Sequence, residues 1–166
     1  IEELLPGAVC SVLILDQESG CLRLAASPSL PDFYNKAVDG LKAGPAAGSC
    51  GTAAHTGERV VVADIRTHTY WESYRLIVEQ LELRTCWSEP IIGSNGRVFG
   101  TFAMYYGKPN QPTSEDINFI ETNANLAAIV FENNLAKQKL IDANTLLSQT
   151  IDERNSQLMK TNEELS

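Results

Sequence analysis

Two of the four cysteines, at positions 10, 21, 50 and 86, stand in settings where thiol chemistry is conceivable: "GSCGTAA" (residues 48–54) and "RTCWSEPI" (residues 84–91). A cysteine among small residues at the opening of a helix feels the helix dipole, which favours the thiolate and with it nucleophilic or redox reactivity. The structural alternative is that Gly48 and Gly51 make the turn into a short helix and Cys50 packs at its start as a small residue. Cys10 and Cys21 lie in apolar, strand-like runs, where a thiol behaves as a small hydrophobe. All four are expected to be reduced, since a domain of this size needs no disulfide staple.

Other chemistries fare worse. His55 and His68 are the only histidines, and with Cys50 and Cys86 they match no compact zinc spacing. The glycine-rich stretch "AGPAAGSCGTAAHTG" lacks a Gly-Lys-Ser/Thr signature and does not open into a βαβ unit, so it does not read as a phosphate loop. No catalytic residue, metal ligand or cofactor is assigned on these grounds.

The elements that must position these residues come next. The chain has 166 residues, 43% of them hydrophobic, enough for one substantial core with an appendage. A net charge of −8 argues against nucleic acid or an anionic membrane as partner. No apolar run is long enough to span a bilayer and no signal peptide is visible, and it is the reduced thiols expected above that point to a cytoplasmic setting. The chain begins at Ile1 and reads as a piece of a longer protein.

Residues 8–15 and 21–27 form a predicted hairpin around "DQESG", followed by a helix opening near Pro31 and closing near Gly40. A short buried strand is expected over 59–65. Helical spacing through Trp71, Tyr74, Ile77, Val78 and Leu81 predicts a helix over 70–83. "TCWSEPII" and "RVFGTFAMYY" flank "GSNGR", where Asn95-Gly96 predicts a type I′ hairpin turn. The second of these strands is apolar on both faces, which places it mid-sheet with helices in front and behind. Pro90 then requires a bulge or a free edge in the first. Thr113 or Ser114 caps a long final helix with Glu115 and Asp116 in its first turn. Its apolar stripe runs through Ile117, Ile120, Ala124, Ala127, Phe131 and Leu135, then shifts phase into Leu140, Leu147, Ile151, Leu158 and Leu165. This seven-residue rhythm is interrupted by Asn144, Arg154 and Thr161. A dimeric coiled coil is the expectation, and a single amphipathic helix the alternative.

In this order and spacing, "GSCGTAAHTGERVVVADI", "LRTCWSEPI" and "GRVFGTFAMYY" resemble GAF domains of bacterial signalling proteins. The resemblance implies an α+β fold, a central antiparallel sheet of about six strands with helices on both faces and a long C-terminal helix. It implies a sensory domain over residues 1–135 and a signalling helix over 136–166, similar to those that precede the output of sensor histidine kinases. It further implies a small-molecule pocket, for which Cys50, Gly51, Asp64, Trp71, Tyr74, Cys86, Trp87 and Ser88 are the candidates, with Glu89 nearby. The implied partners are a second copy through the C-terminal helix, an unidentified small molecule and an output domain in the same parent chain. Bilin- and cyclic-nucleotide-binding members carry residues that this chain does not reproduce, and some members hold haem through one histidine, which leaves His68 a remote candidate against its reading as a solvent-facing loop residue. Free methionine sulfoxide reductases share the fold and use pocket cysteines, but their Ala-Cys-Asp-Ser setting is missing here. Two alternatives remain, a thiol enzyme using Cys50 and Cys86 and a ligand-free dimerisation module.

Overall fold

The computed structural model describes residues 2–164. Its strands are β1 (Ala8–Asp16), β2 (Cys21–Ala26), β3 (Leu41–Lys42), β4 (Val60–Val62), β5 (Thr85–Ile92) and β6 (Val98–Tyr106). All pairings are antiparallel, in the order β3-β2-β1-β6-β5-β4. The doubly apolar β6 is therefore central, between β1 and β5. Pro90 is accommodated as its lack of an N–H requires. β4 ends opposite Ser88, so Pro90 lies past its end, and the β5–β6 register slips between Ile91 and Ile92.

Helices α1 (Asp32–Val38) and α2 (Gly48–Thr56), a 3-10 turn (Thr69–Tyr74) and α3 (Arg75–Gln80) complete the first part of the chain. The single helix expected over 70–83 is thus two pieces. His68 starts the first, its ring nitrogen accepting from the Tyr70 N–H at 3.2 Å. β3 is two residues long, too short for periodicity to reveal.

The turn at Asn95-Gly96 is not type I′. Among the described residues no non-glycine has positive φ, whereas Gly96 sits at +79°. The Gly96 N–H bonds the Gly93 carbonyl at 2.9 Å and the Gly93 N–H bonds the Arg97 carbonyl at 2.8 Å. A three-residue loop with glycine in the left-handed position spares Asn95 the strained conformation.

Helix α4 (Ser114–Glu164) opens with a reciprocal cap. The Thr113 hydroxyl accepts from the Asp116 N–H at 3.2 Å, and the Asp116 carboxylate accepts from the Thr113 N–H at 2.8 Å. Contacts divide the chain into two units, 1–129 and 130–166. In the first, α4 buries Ile120, Ala124 and Ala128. In the second, every described side chain from Asn133 to Thr161 is exposed, Leu140, Leu147, Ile151 and Leu158 included.

Alternation along the strands splits the first unit's core into two layers. Leu13, Cys86, Ala103 and Tyr105 face one way, with Tyr34 of α1, Cys50 and Ala53 of α2, Trp71 and Val78. Cys10, Trp87, Ile91, Phe102 and Met104 face the other way, the side of Glu89. There Arg59 pairs with Glu89 and, at 3.0 Å, with Glu121 of α4. No helix among the described residues is long and apolar enough to cross a membrane.

Candidate functional site

On the first of these faces a cavity of about 20 Å³ lies between α1, α2 and the 3-10 turn. Tyr34, Val38, Leu41, Ala47, Ser49, Cys50, Trp71, Tyr74 and Ile77 line it. That volume takes about one water molecule. Its walls are mostly apolar, and Trp71 and Tyr74 stand edge-to-face with ring centroids 6.3 Å apart.

α2 is positioned by its own first turn. The Thr52 hydroxyl donates to the Gly48 carbonyl at 2.6 Å and accepts from the Ala47 N–H at 3.2 Å, tying up groups that a helix start leaves free. Gly51 belongs to this packing. A Cβ there would stand 2.6 Å from that of Ala47 and 3.4 Å from the Leu41 side chain. Cys50 thus lies inside α2, a longer helix than the one expected from "TAAHTG".

Below the cavity floor is a buried polar cluster. Tyr105 Oη is 3.1 Å from Ser11 Oγ, 3.3 Å from Tyr34 Oη, which donates to it, and 3.7 Å from Cys50 Sγ. Ser49 Oγ accepts from Trp71 Nε1 at 3.0 Å and donates to the Cys86 carbonyl at 3.3 Å. Cys86 is fully buried beside Cys50, their thiols within hydrogen-bonding reach. The Ser88 and Thr101 hydroxyls are fully buried on the same face without a well-formed hydrogen bond, yet lie near enough to the Cys50 sulfur to favour its thiolate.

This arrangement separates the two thiols. The hydrogen bond from Cys86, outweighing burial, brings Cys50 down from 9.0 to about 7. Desolvation and the neighbouring Cys50 hold Cys86 well above its ordinary value. Burial raises Tyr34 and Tyr105 as well.

The sequence candidates therefore divide. Cys50, Trp71 and Tyr74 line the cavity, Gly51 packs behind its wall, and Cys86 and Ser88 lie beneath it. Trp87 is on the opposite face, against Tyr106 with ring centroids 5.0 Å apart. Asp64 is elsewhere too. Its carboxylate accepts from Arg84 Nε at 3.0 Å and from the Arg66 N–H at 3.0 Å, which fixes the loop after β4. The Arg84 guanidinium, first among several causes, lowers the Asp64 pKa. Tyr34, Ser49, Thr101 and Tyr105 escaped the sequence reading. Their signal was a polar atom on an otherwise apolar, inward-facing position. Among the described residues no group of His, Cys, Asp or Glu could hold a metal ion.

Comparison with known proteins decides the family, since the GAF domain model matches residues 1–132. This chain belongs to the GAF domain family. It is 39% identical over 157 residues to a methyl sulfide methyltransferase-associated sensor from Methanosarcina acetivorans, covering 95% of this chain and 16% of that protein. The GAF domain thus spans a small part of the curated relative that it matches. Among solved structures it is similar to the GAF domain of a phosphoenolpyruvate-protein phosphotransferase from Coxiella burnetii, with a TM-score of 0.70, 24% identity, and coverage of 82% of this chain and 78% of that one. It is also similar to a free methionine-R-sulfoxide reductase from Neisseria meningitidis, solved in complex with its substrate, with a TM-score of 0.64, 21% identity and coverage of 79% and 71%. At such identities these structures share the fold alone, and the fold serves both regulation and catalysis.

Proposed function

We propose that this GAF domain is a non-catalytic sensory module that binds a small molecule beneath α2 and relays its presence through α4 to an output domain, a histidine kinase. The observation that carries the reading is the aromatic-walled cavity, too small at about 20 Å³ for an organic ligand as it stands. An organic ligand enters only if the segment carrying Trp71, Tyr74 and Ile77 moves, so occupancy selects between two arrangements. The resulting shift is bounded by the ligand's preference for the open one. Likeness to a sensor over nearly the whole chain supports the same reading.

α4 supplies the relay by pairing with a second copy. In heptad terms, Lys137, Asn144, Ile151 and Leu158 fall at a, and Leu140, Leu147 and Arg154 at d. An Asn or Lys at a, with Leu at d, favours parallel, in-register dimers. A reducing, cytoplasmic setting suits the four free thiols.

Native mass spectrometry of the protein as purified, against a denatured spectrum, tests both parts. The expected result is a dimer retaining a small molecule that is lost on denaturation. An empty monomer that gains no thermal stability from any metabolite overturns it. The second reading, reduction of free methionine sulfoxide, draws on the adjacency of Cys50 and Cys86. It requires turnover that disappears in Cys86→Ser.

A further inference from the structure

The relay leaves one group of side chains without a role: the Cys50 and Cys86 thiols and the two hydroxyls beside them. Cys50 borders the cavity while Cys86 is sealed behind it, and both are free thiols. Cys50 lies in the first turn of the nine-residue α2, where the helix dipole favours an anion. The Ser88 and Thr101 hydroxyls, buried without a well-formed hydrogen bond, face the same sulfur. Native interiors rarely leave such groups unpaired, and those that persist call for an explanation.

We propose that Cys50 and Cys86 form a peroxide-reactive dithiol, in which Cys50 attacks a hydroperoxide admitted to the cavity and Cys86 closes the product into an intramolecular disulfide. Size favours this oxidant. A space of about 20 Å³, a little more than one water requires, comes near to hydrogen peroxide in size and excludes free methionine sulfoxide. In the first step the Cys50 thiolate forms an S–O bond as the peroxide O–O bond breaks. The departing hydroxide takes a proton and leaves as water. In the second, the Cys86 sulfur forms the S–S bond while the S–O bond of the Cys50 sulfenic acid breaks, and the Cys86 proton leaves with the oxygen as water. Overall, two thiols and one hydrogen peroxide give one disulfide and two waters, with two electrons passing from sulfur to peroxide oxygen. The Ser88 and Thr101 hydroxyls are available as donors to the oxygen that forms and departs. The Cys50 sulfur borders the cavity and its thiolate is favoured over that of Cys86, which lies behind the wall. That suits the outer sulfur to attack and the inner one to resolve.

The chemistry does not depend on the sensory reading, and its test involves neither ligand nor output. Reduced protein is treated with stoichiometric hydrogen peroxide, alkylated, denatured and weighed, then cut with trypsin. The expected result is loss of the mass of two hydrogens, with residues 43–59 and 85–97 recovered as one species that dithiothreitol separates. Cys86→Ser is expected to stop at a sulfenic acid on Cys50, trapped when the treated protein is unfolded in the presence of dimedone. Cys50→Ser is expected to slow peroxide consumption at least tenfold and to give no adduct on Cys86. Unlinked peptides in the wild-type digest overturn the proposal, as does oxidation confined to Cys21 or Cys10. The wild-type digest decides even if a variant fails to fold.

Discussion

The two faces of the central sheet differ in the polar groups they bury beside their apolar side chains. Beneath α2 the layer contains two thiols, two tyrosine hydroxyls, Ser11, Ser49, Ser88 and Thr101 around a small cavity. On the other face Trp87, Ile91, Phe102 and Met104 dominate, and the ion pairs of Arg59 stay at its margin. The Thr85 hydroxyl there is paired with the Ala63 and Lys108 carbonyls, and among the described residues Cys10 and the unpartnered Trp87 Nε1 are the other buried polar groups. A face that only stabilises has no reason to desolvate hydroxyls, since each one left unpaired costs about 1–3 kcal/mol. Under the function proposed above, this difference separates a supporting face from a working one within a single sheet.

The largest expected effect breaks the supporting face. Trp87→Ala should lower unfolding stability by about 4 kcal/mol, in the range for truncating a buried aromatic. Urea denaturation measures this, and Cys50 alkylation by a small reagent under native conditions should keep its rate. A matching change in that rate would show that the faces are coupled.

On the working face, Tyr105→Phe strips Ser11 and Tyr34 of their shared partner and should cost about 2 kcal/mol. It also removes one of the hydrogen bonds that lower the Cys50 pKa, so the pH midpoint of Cys50 alkylation should rise.

The pH dependence sharpens the contrast from the supporting side. Burial, with Glu2 nearby, pushes Cys10 from 9.0 up to about 12. A thiol kept neutral by the fold contributes stability that is complete below pH 9 and is lost as pH rises toward 12. Between pH 9 and 10 the Cys10 share is about 1 kcal/mol, since the unfolded thiol is only half ionised at pH 9. Chemical denaturation at the two pH values should show this loss, and Cys10→Ala should reduce it. The smallest effect has the opposite sign. Thr101→Val replaces an unpaired hydroxyl with a methyl of similar shape and should raise stability by about 1 kcal/mol, while impairing whatever the hydroxyl serves.

How legible the two faces were depends on period. The hairpins at 8–26 and 85–106 and the capped start of α4 follow from alternation, turn residues and charge placement, which act locally, whereas the count of six strands came only with the family resemblance, because β3 is two residues long. Alternation also separates the site candidates. If Cys86 and Ser88 point into the working face, Trp87 must point away, although its size and neighbours made it look like a pocket wall. Asp64 sits close in sequence to the cavity roof but is held by Arg84, a partner whose position only the fold reveals. Tyr34 and Tyr105 meet across 71 residues, and no local pattern announces such a contact. The 3-10 turn kept the helical spacing of Trp71 and Tyr74 while delaying the start of α3 to Arg75, because a period of three and one of 3.6 are indistinguishable over two turns.

The outermost strands, β3 and β4, run for two and three residues. Edges this short give a foreign strand almost nothing to template on, and this is one of the ways β-proteins avoid joining edge to edge. A concentrated solution of this domain should therefore resist amyloid-like growth from its sheet.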